Sequence, residues 1–303
     1  MGKQIKVALI GNPNTGKTSV FNALTGLNQK VGNYPGITVD KKEGVCKLSR
    51  GVKAHILDLP GTYSLNASSI DENVVIELLL NQKDKDFPDV AVVVADVENL
   101  KRNLLLFTQI KDLKIPTILV VNMSDVMARK GITLDIPKLE KLLNTKIALV
   151  STRKGTGLQG LKNLIEGYRT LPKTQCLDAT SIDPNYFERL QKAFPNQEVY
   201  KLWLVIAQDV NFGKLARKEL DVSQFRTKSI SELKRLQQQE AIKRYQFING
   251  VLKTCQVIDR SKAKDLRSKL DRILTHKIWG YLIFFGVITV SYTHLTQPTI
   301  LIV

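Results

Sequence analysis

The segment GNPNTGKT at residues 11–18 constrains the fold most strongly, because it matches the phosphate-binding pattern G-x-x-x-x-G-K-[ST]. It directly follows the apolar run Ile5–Ile10 and overlaps Lys17–Thr25, which carries apolar residues at helical spacing. The backbone N–H groups of such a loop, together with the positive end of the helix that follows, bind phosphate. The sequence therefore predicts a strand–loop–helix unit that holds the phosphates of a nucleotide.

The side chains of this loop are the first candidate site residues. Lys17 would reach the β- and γ-phosphates as a catalytic residue, and the Thr18 hydroxyl would bind Mg²⁺. The amide oxygen of Asn14 could bind a monovalent cation and so act in catalysis, although Asn14 could also serve only to shape the loop. The nucleotide-binding residues predicted here are Gly11, Asn12, Pro13, Asn14, Thr15, Gly16, Lys17, Thr18 and Ser19.

The choice of base is predicted from the N-x-x-D motif at Asn122–Asp125, directly after an apolar run. The Asp125 carboxylate can accept hydrogen bonds from N1–H and the exocyclic amine of guanine, whereas adenine would leave it unpaired. Met123 replaces the usual lysine and could lie over the base plane. Ser151 and Thr152 would add contacts to the base. The alternative is that the motif only caps a helix.

Two further segments complete the predicted site. In the D-x-x-G motif, Asp58 would hold Mg²⁺ through a water and the Gly61 N–H would bond the γ-phosphate as a catalytic group. In the turn-rich loop 33–38, Thr38 would give its hydroxyl to Mg²⁺ and its N–H to the γ-phosphate, so the loop would order only with the triphosphate. The nucleotide contacts of this loop are assigned to Gly36, Ile37 and Thr38.

Thr62 stands after Gly61, where Ras-like GTPases have a glutamine that orients the attacking water. Because threonine lacks that reach and that amide, we expect slow unassisted hydrolysis, about 10⁻⁴ to 10⁻² s⁻¹. Positive charge near the β–γ bridge must then come from elsewhere. The early loops offer no obvious arginine for this, although Lys41 and Lys42 are close in sequence.

Alternating strand and helix patterns predict the fold class of residues 1–170: an α/β, Ras-like P-loop GTPase domain with a mixed, mostly parallel sheet and helices on both faces. In such sheets, ligands bind at the carboxyl ends of the strands. The predicted strands are Ile5–Ile10, Ala54–Leu59, Val90–Ala95, Thr117–Val121 and Lys146–Val150. The predicted helices are Lys17–Thr25, Asp71–Leu80, Leu100–Asp112, Pro137–Leu143 and Leu158–Tyr168.

The remainder of the chain is predicted to be helical. Residues 172–275 would form a separate all-helical domain, with one helix starting at Asp183-Pro184 and others over Ser229–Thr254 and Ser261–Thr275. The excess of Lys and Arg over Arg226–Lys277 fits either a solvated helix face or a surface near anionic lipid. The apolar segment Ile278–Val290 is shorter than the about 20 residues of a membrane span, and we interpret it as a buried helix or the start of one that crosses the membrane. The tail 291–303 turns polar and is interpreted as non-native.

Composition limits the class of protein further. The 303 residues carry a net charge of +17, which indicates an anionic partner such as nucleic acid, anionic lipid or nucleotide. Three widely spaced cysteines and a chain start without a secretory signal favour a reducing compartment. We expect no nucleic-acid partner, because no RNA-binding signature or aromatic stacking pattern appears.

Taken with these residues, the chain resembles the cytoplasmic N-terminal region of the FeoB family of bacterial ferrous-iron transporters. The resemblance rests on GNPNTGKT at 11–18, VGNYPGITVDKKEG at 31–44, DLPGTYSL at 58–65, NMSD at 122–125 and VSTRKGTGL at 150–158. NYPG before the threonine, and methionine in place of lysine after Asn122, are its most specific features.

The resemblance implies a GTPase that binds GTP, GDP and Mg²⁺, with K⁺ as a candidate activator held by Asn14. It also implies a helical domain similar to a guanine-nucleotide dissociation inhibitor at 172–275 and the start of the first membrane helix at 278–290. The chain is expected on the cytoplasmic side of the inner membrane. A transport domain that is absent from this sequence would attach it there, and the nucleotide state would be coupled to Fe²⁺ uptake. Small Feo accessory proteins and a homo-oligomer are candidate partners. A stand-alone GTPase of ribosome or tRNA maturation, or a scaffold that only holds nucleotide, remain alternatives.

Overall fold

The computed structural model describes residues 3–27, 29–33, 40–49, 51–66, 69–212, 228–259 and 273–296. The strands in these ranges are β1 (Lys3–Gly11), β2 (Gln29–Asn33), β3 (Asp40–Lys47), β4 (Val52–Asp58), β5 (Val90–Asp96), β6 (Thr117–Asn122), β7 (Ile132–Leu134), β8 (Lys146–Leu149) and β9 (Gln256–Ile258). The helices are α1 (Lys17–Thr25), α2 (Ile70–Leu80), α3 (Leu100–Asp112), α4 (Asp125–Lys130), α5 (Ile136–Leu143), α6 (Leu158–Glu166), α7 (Pro184–Ala193), α8 (Val199–Phe212), α9 (Ile230–Cys255) and α10 (Trp279–Thr296).

The main sheet is mixed and mostly parallel, which confirms the predicted α/β class. Its strand order is β2-β3-β4-β1-β5-β6-β8. The strands from β4 to β8 pair in parallel, whereas β2 and β3 form an antiparallel extension on the β4 side. The five predicted strands are present, and the sequence prediction missed β2 and β3.

The sheet is covered on both faces. Val20 and Phe21 of α1, with Leu161 and Ile165 of α6, share a core cluster with alternate residues of the central strands. The intervening β5 residues, such as Val93, are equally inaccessible to solvent. Continuous burial of this kind is typical of a parallel sheet between helices, and it explains why these strands are apolar throughout.

The chain divides into two compact units. The first comprises Met1–Asp125 and Leu134–Gln256, and the second comprises Val126–Thr133 and Val257–Val303. Within the first unit, α9 packs against α3, α5 and α8. Helix α9 begins after Ser229, whose side chain forms a reciprocal capping box with Glu232. The predicted boundary near residue 171 lies inside this unit, so the two-domain division stays a prediction.

The end of the described chain departs from the sequence prediction. The apolar helix was predicted to end at Val290, but α10 continues into the polar stretch as far as Thr296. A hydroxyl side chain is compatible with a helix because it can donate to a backbone carbonyl one turn earlier, as Thr289 within α10 does to Phe285 at 2.8 Å. Across the described ranges, no helix combines the length and apolarity that a membrane crossing requires. Most of the predicted helix Ser261–Thr275, and the tail after 296, lie outside the described residues.

Candidate functional site

The phosphate loop connects β1 to α1 and is held in a conformation that only certain residues adopt. Asn14 and Gly16 both have left-handed backbone angles, with φ of 66° and 79°. A Cβ atom on Gly16 would clash with the side-chain amide of Asn122, and one on Gly11 would lie 2.6 Å from the carbonyl oxygen of Val94. Position 16 therefore requires glycine because of its left-handed φ and the nearby Asn122 amide, and position 11 requires it because the Val94 carbonyl lies so close.

Lys17, Thr18 and Asp58 meet at the start of α1. The Lys17 ammonium forms an ion pair with the Asp58 carboxylate, whose second oxygen accepts a long 3.5 Å hydrogen bond from the Thr18 hydroxyl. Burial lowers the pKa of Lys17, and the Asp58 charge opposes this shift. The structure thus brings together the predicted phosphate-binding lysine and the two described residues that are predicted to bind Mg²⁺.

The loop after Asp58 lies directly on the phosphate loop. The Thr62 N–H donates to the Gly11 carbonyl at 3.2 Å, and a Cβ on Gly61 would lie 3.1 Å from the Pro13 ring. The N–H of Gly61 belongs to the backbone that passes over the phosphate loop. A side chain at position 61 would therefore displace this loop or Pro13.

Thr62 is turned into the protein and not toward the phosphate loop. Its side chain is fully buried, with the hydroxyl 2.9 Å from the Ser64 carbonyl oxygen and 3.1 Å from the Glu72 carboxylate, which accepts the Tyr63 N–H. Sequence reasoning missed Glu72 as an anchor of this loop. The pattern Ser69-x-x-Glu72 at the start of α2 signals a helix start, but it gives no signal that the Glu72 carboxylate bonds residues 62 and 63.

The N-x-x-D motif forms a second corner at the end of β6. The side-chain amide of Asn122 donates to the Thr15 carbonyl at 3.0 Å, which ties this motif to the phosphate loop. Asp125 accepts a 2.7 Å hydrogen bond from the Ser151 hydroxyl, and this bond lowers the pKa of the Asp125 carboxyl. Asp125 is therefore a charged acceptor at neutral pH. Helix α4 begins at Asp125, so this geometry is also compatible with the alternative that the motif caps a helix.

The remaining predicted residues divide into those near the two corners and those that are not described. Met123 has a left-handed φ of 60°, and its methyl group lies close to Gly16. Thr152 is half-buried beside Ser151, while Asn14 and Ser19 are exposed on the loop and on α1. Asn12 is buried in the loop, and its amide atoms have no hydrogen-bond partner among the described residues. Gly36, Ile37 and Thr38 lie outside the described residues.

The donor set fits the predicted cations in its chemistry. Thr18 and Asp58 offer a hydroxyl and a carboxylate on facing side chains, and oxygen ligands of this type suit Mg²⁺. Asn14 is an exposed residue of the phosphate loop, and its side chain carries one amide oxygen, a ligand type that a monovalent cation accepts.

The phosphate loop, the D-x-x-G loop and the N-x-x-D corner follow β1, β4 and β6 at the carboxyl ends of parallel strands of one α/β sheet. This arrangement defines a Ras-like P-loop GTPase domain. The family model described as ferrous iron transport protein B matches residues 5–165, more than half of the chain. The chain belongs to the FeoB family.

Relatives of known sequence agree with this assignment. The chain is 35% identical over 304 residues to the Fe(2+) transporter FeoB of Leptospira biflexa, covering 93% of this chain and 42% of that protein. It is 33% identical to a Fe(2+) transport protein A/FeoB fusion protein of Porphyromonas gingivalis, covering 93% of this chain and 36% of that protein. The chain therefore spans less than half the length of these relatives.

Solved structures give the same result. The apo cytosolic domain of T. maritima FeoB has a TM-score of 0.69 and 29% identity, covering 84% of this chain and 100% of that chain. Its GMPPNP form has a TM-score of 0.68 and 28% identity, covering 84% and 99%. The cytosolic domain of L. pneumophila FeoB has a TM-score of 0.64 and 30% identity, covering 83% and 99%.

Proposed function

We propose that this chain binds GTP and hydrolyses it to GDP and phosphate as the cytosolic G-protein region of a Fe²⁺ transporter. The observation that carries the proposal is the placement of two complementary corners on one sheet edge. Lys17 and Asp58 form a phosphate and Mg²⁺ corner, and Asp125 forms a charged acceptor for guanine. The solved forms of the T. maritima relative, with GDP and with GMPPNP, support a guanine nucleotide as the ligand.

The proposed chemistry is addition of water to the γ-phosphorus with cleavage of its bond to the β–γ bridging oxygen. The water proton leaves with inorganic phosphate. Lys17 would exchange its contact with Asp58 for the β- and γ-phosphates, and the N–H groups of Gly61 and Thr38 would bond γ-phosphate oxygens as charge spreads over them. Bound Mg²⁺, held by Thr18, Thr38 and Asp58, would neutralise phosphate charge. Because Thr62 is turned inward and bonded to Glu72, no side chain at that position orients the water, and unassisted turnover is slow.

Base selectivity is the direct test of the proposal. We expect calorimetric titration with Mg²⁺ to give an affinity for GTP at least about a hundredfold above that for ATP, because adenine leaves the Asp125 carboxylate unpaired. Release of inorganic phosphate from GTP should accompany binding. Equal affinity for ATP, or no affinity for either nucleotide, would disprove the assignment.

Potassium dependence is a separate prediction about Asn14. This exposed residue belongs to the phosphate loop, so a K⁺ ion on its amide oxygen would lie close to the phosphates. We expect hydrolysis to be faster in KCl than in NaCl, and Asn14→Ala to remove the difference while leaving GDP affinity nearly unchanged. Phosphate release measured in both salts tests this. An Asn14→Ala variant that still turns over faster in KCl, at the wild-type rate, would contradict the role of Asn14.

The wider role is proposed from the family. The nucleotide state would bias loops 31–44 and 60–70, and the helical segment 172–275 would slow GDP release and relay the state toward the membrane. The packing of α9 on α3 and α5 supports such a relay.

The fused P. gingivalis relative supports a small accessory transport protein as a partner, and a homo-oligomer stays a prediction. The stand-alone role in ribosome or tRNA maturation is set aside, because the chain belongs to the FeoB family.

A further inference from the structure

The two adjacent lysines of β3 lie on opposite faces of the sheet. In the antiparallel pairing of β3 with β4, Lys42 stands directly opposite Asp58. Residues that are directly opposite in such a pair share one face, and successive residues alternate between faces. Since the Asp58 carboxylate contacts Lys17 at the start of α1, Lys42 lies on the α1 face together with both.

The neighbours of each lysine along β3 support this placement. Cys46, in the same row as Lys42, belongs to the core cluster that includes Val20 and Phe21 of α1. Lys41 lies in the other row, where its ammonium forms ion pairs with Glu43 and, at 2.7 Å, with Asp86. The two lysines are therefore adjacent in sequence but face different environments.

The charged groups around Lys17 and Asp58 favour binding of an anion. Among the described residues, Lys42 has no ion-pair partner, and the Asp58 carboxylate is already paired with Lys17. Two cations beside one carboxylate leave a net positive charge for phosphate.

The strand order shows which phosphate Lys42 would meet. The base corner follows β6 and β8, the phosphate loop follows β1, and Asp58 follows next at the end of β4. Strand β3 is the next strand in this direction. A nucleotide whose base lies at Asp125 and whose phosphates cross the loop of β1 would extend its terminal phosphate toward β4 and β3.

We propose that Lys42 is a second phosphate-binding lysine, which contacts the terminal phosphate of GTP and distinguishes GTP from GDP. The inference rests on the proposed GTPase function and adds to it the missing positive charge near the γ-phosphate. It assigns this charge to Lys42 of β3, which lies opposite Asp58.

The test compares Lys42→Met with its sequence neighbour Lys41→Met. Loss of a charged hydrogen bond to phosphate corresponds to about a tenfold to hundredfold loss of affinity. We expect Lys42→Met to weaken binding of GMPPNP by this factor and to change GDP affinity less than about threefold. Lys42→Arg should retain most of the GMPPNP affinity. Lys41→Met should leave the ratio of GMPPNP to GDP affinity at the wild-type value, because Lys41 faces away from the site.

Calorimetry with both nucleotides and single-turnover phosphate release provide the measurements, with thermal unfolding as a check on folding. If Lys42→Met is unstable, Lys42→Gln replaces it in the same comparison. An unchanged affinity ratio in Lys42→Met, or equal weakening of GDP and GMPPNP, would overturn the inference. Failure of the wild-type chain to bind either nucleotide would instead count against the proposed GTPase function.

Discussion

Replacing Asp125 with asparagine will lower the affinity for GTP at least about a hundredfold and will create affinity for xanthosine triphosphate. The carboxylate accepts two hydrogen bonds from guanine, whereas asparagine offers one acceptor and one NH₂ donor. The asparagine NH₂ would then face the guanine amine, donor against donor. Xanthine carries a carbonyl in place of that amine, so it can accept the new hydrogen bond. The substitution therefore exchanges one base preference for another.

Two features of the site indicate that Asp125→Asn would change base recognition and leave the other nucleotide contacts in place. The Ser151 hydroxyl already orients the carboxyl of Asp125, so asparagine can take the same position with one oxygen retained as an acceptor. The phosphate corner at Lys17 is untouched, which preserves the triphosphate contacts needed to detect xanthosine triphosphate.

A matched control is Asp135→Asn. Asp135 caps the start of α5 by accepting the N–H of Lys138, and asparagine caps helices about as well as aspartate. This variant should bind GTP like the wild type. Competition of each triphosphate with a fluorescent GDP analogue gives the affinities. Wild-type GTP binding by Asp125→Asn would show that Asp125 does not recognise the base.

The parts of the fold that sequence reasoning predicted are those where chemistry or burial fixes residue type. The central strands are buried on both faces and so read as apolar runs, and the phosphate loop requires glycine where a Cβ would clash. Strand β3 could not be found in this way. Its sequence, DKKEGVCK, buries only Gly44 and Cys46, so the usual alternation of apolar and polar residues is absent.

Long-range pairing of charges was also invisible to the sequence. The charges of α9 were expected to face solvent or lipid, yet Glu240 and Arg244 are fully buried. Their burial depends on Asp112 at the end of α3, far away in the chain, and local periodicity carries no signal for a partner so distant. The position of these charges follows from the packing of α9 on α3, which only the tertiary structure shows.

Arg244→Met will lower the free energy of unfolding by about 3–5 kcal/mol, the usual cost of breaking a buried ion pair. The guanidinium lies 2.7 Å from carboxylate oxygens of both Asp112 and Glu240, and none of the three groups is exposed. Burial raises the pKa of Asp112, and the Arg244 charge opposes that shift. Methionine would fill the space but leave two buried carboxylates without a counter-charge.

Lys192→Met is the matched control, because Lys192 and Glu188 form an ion pair at the same i, i+4 spacing on an exposed helix face. Exposed pairs of this kind contribute little to stability, so urea unfolding should separate the two variants clearly. A triple variant, Arg244→Met with Asp112→Asn and Glu240→Gln, removes both carboxylate charges. The asparagine keeps an acceptor for the Cys176 N–H, and the glutamine keeps one acceptor for the Trp203 N–H while its NH₂ can donate to the Tyr200 hydroxyl oxygen.

We expect this triple variant to recover at least about 2 kcal/mol relative to Arg244→Met, because the penalty arises from uncompensated charge and not from lost packing. No recovery would instead assign the loss to the shape of the arginine side chain and its contact with the Tyr200 ring. If Arg244→Met were as stable as Lys192→Met, the three charges would have to be hydrated in solution, and α9 could not pack on α3 through them.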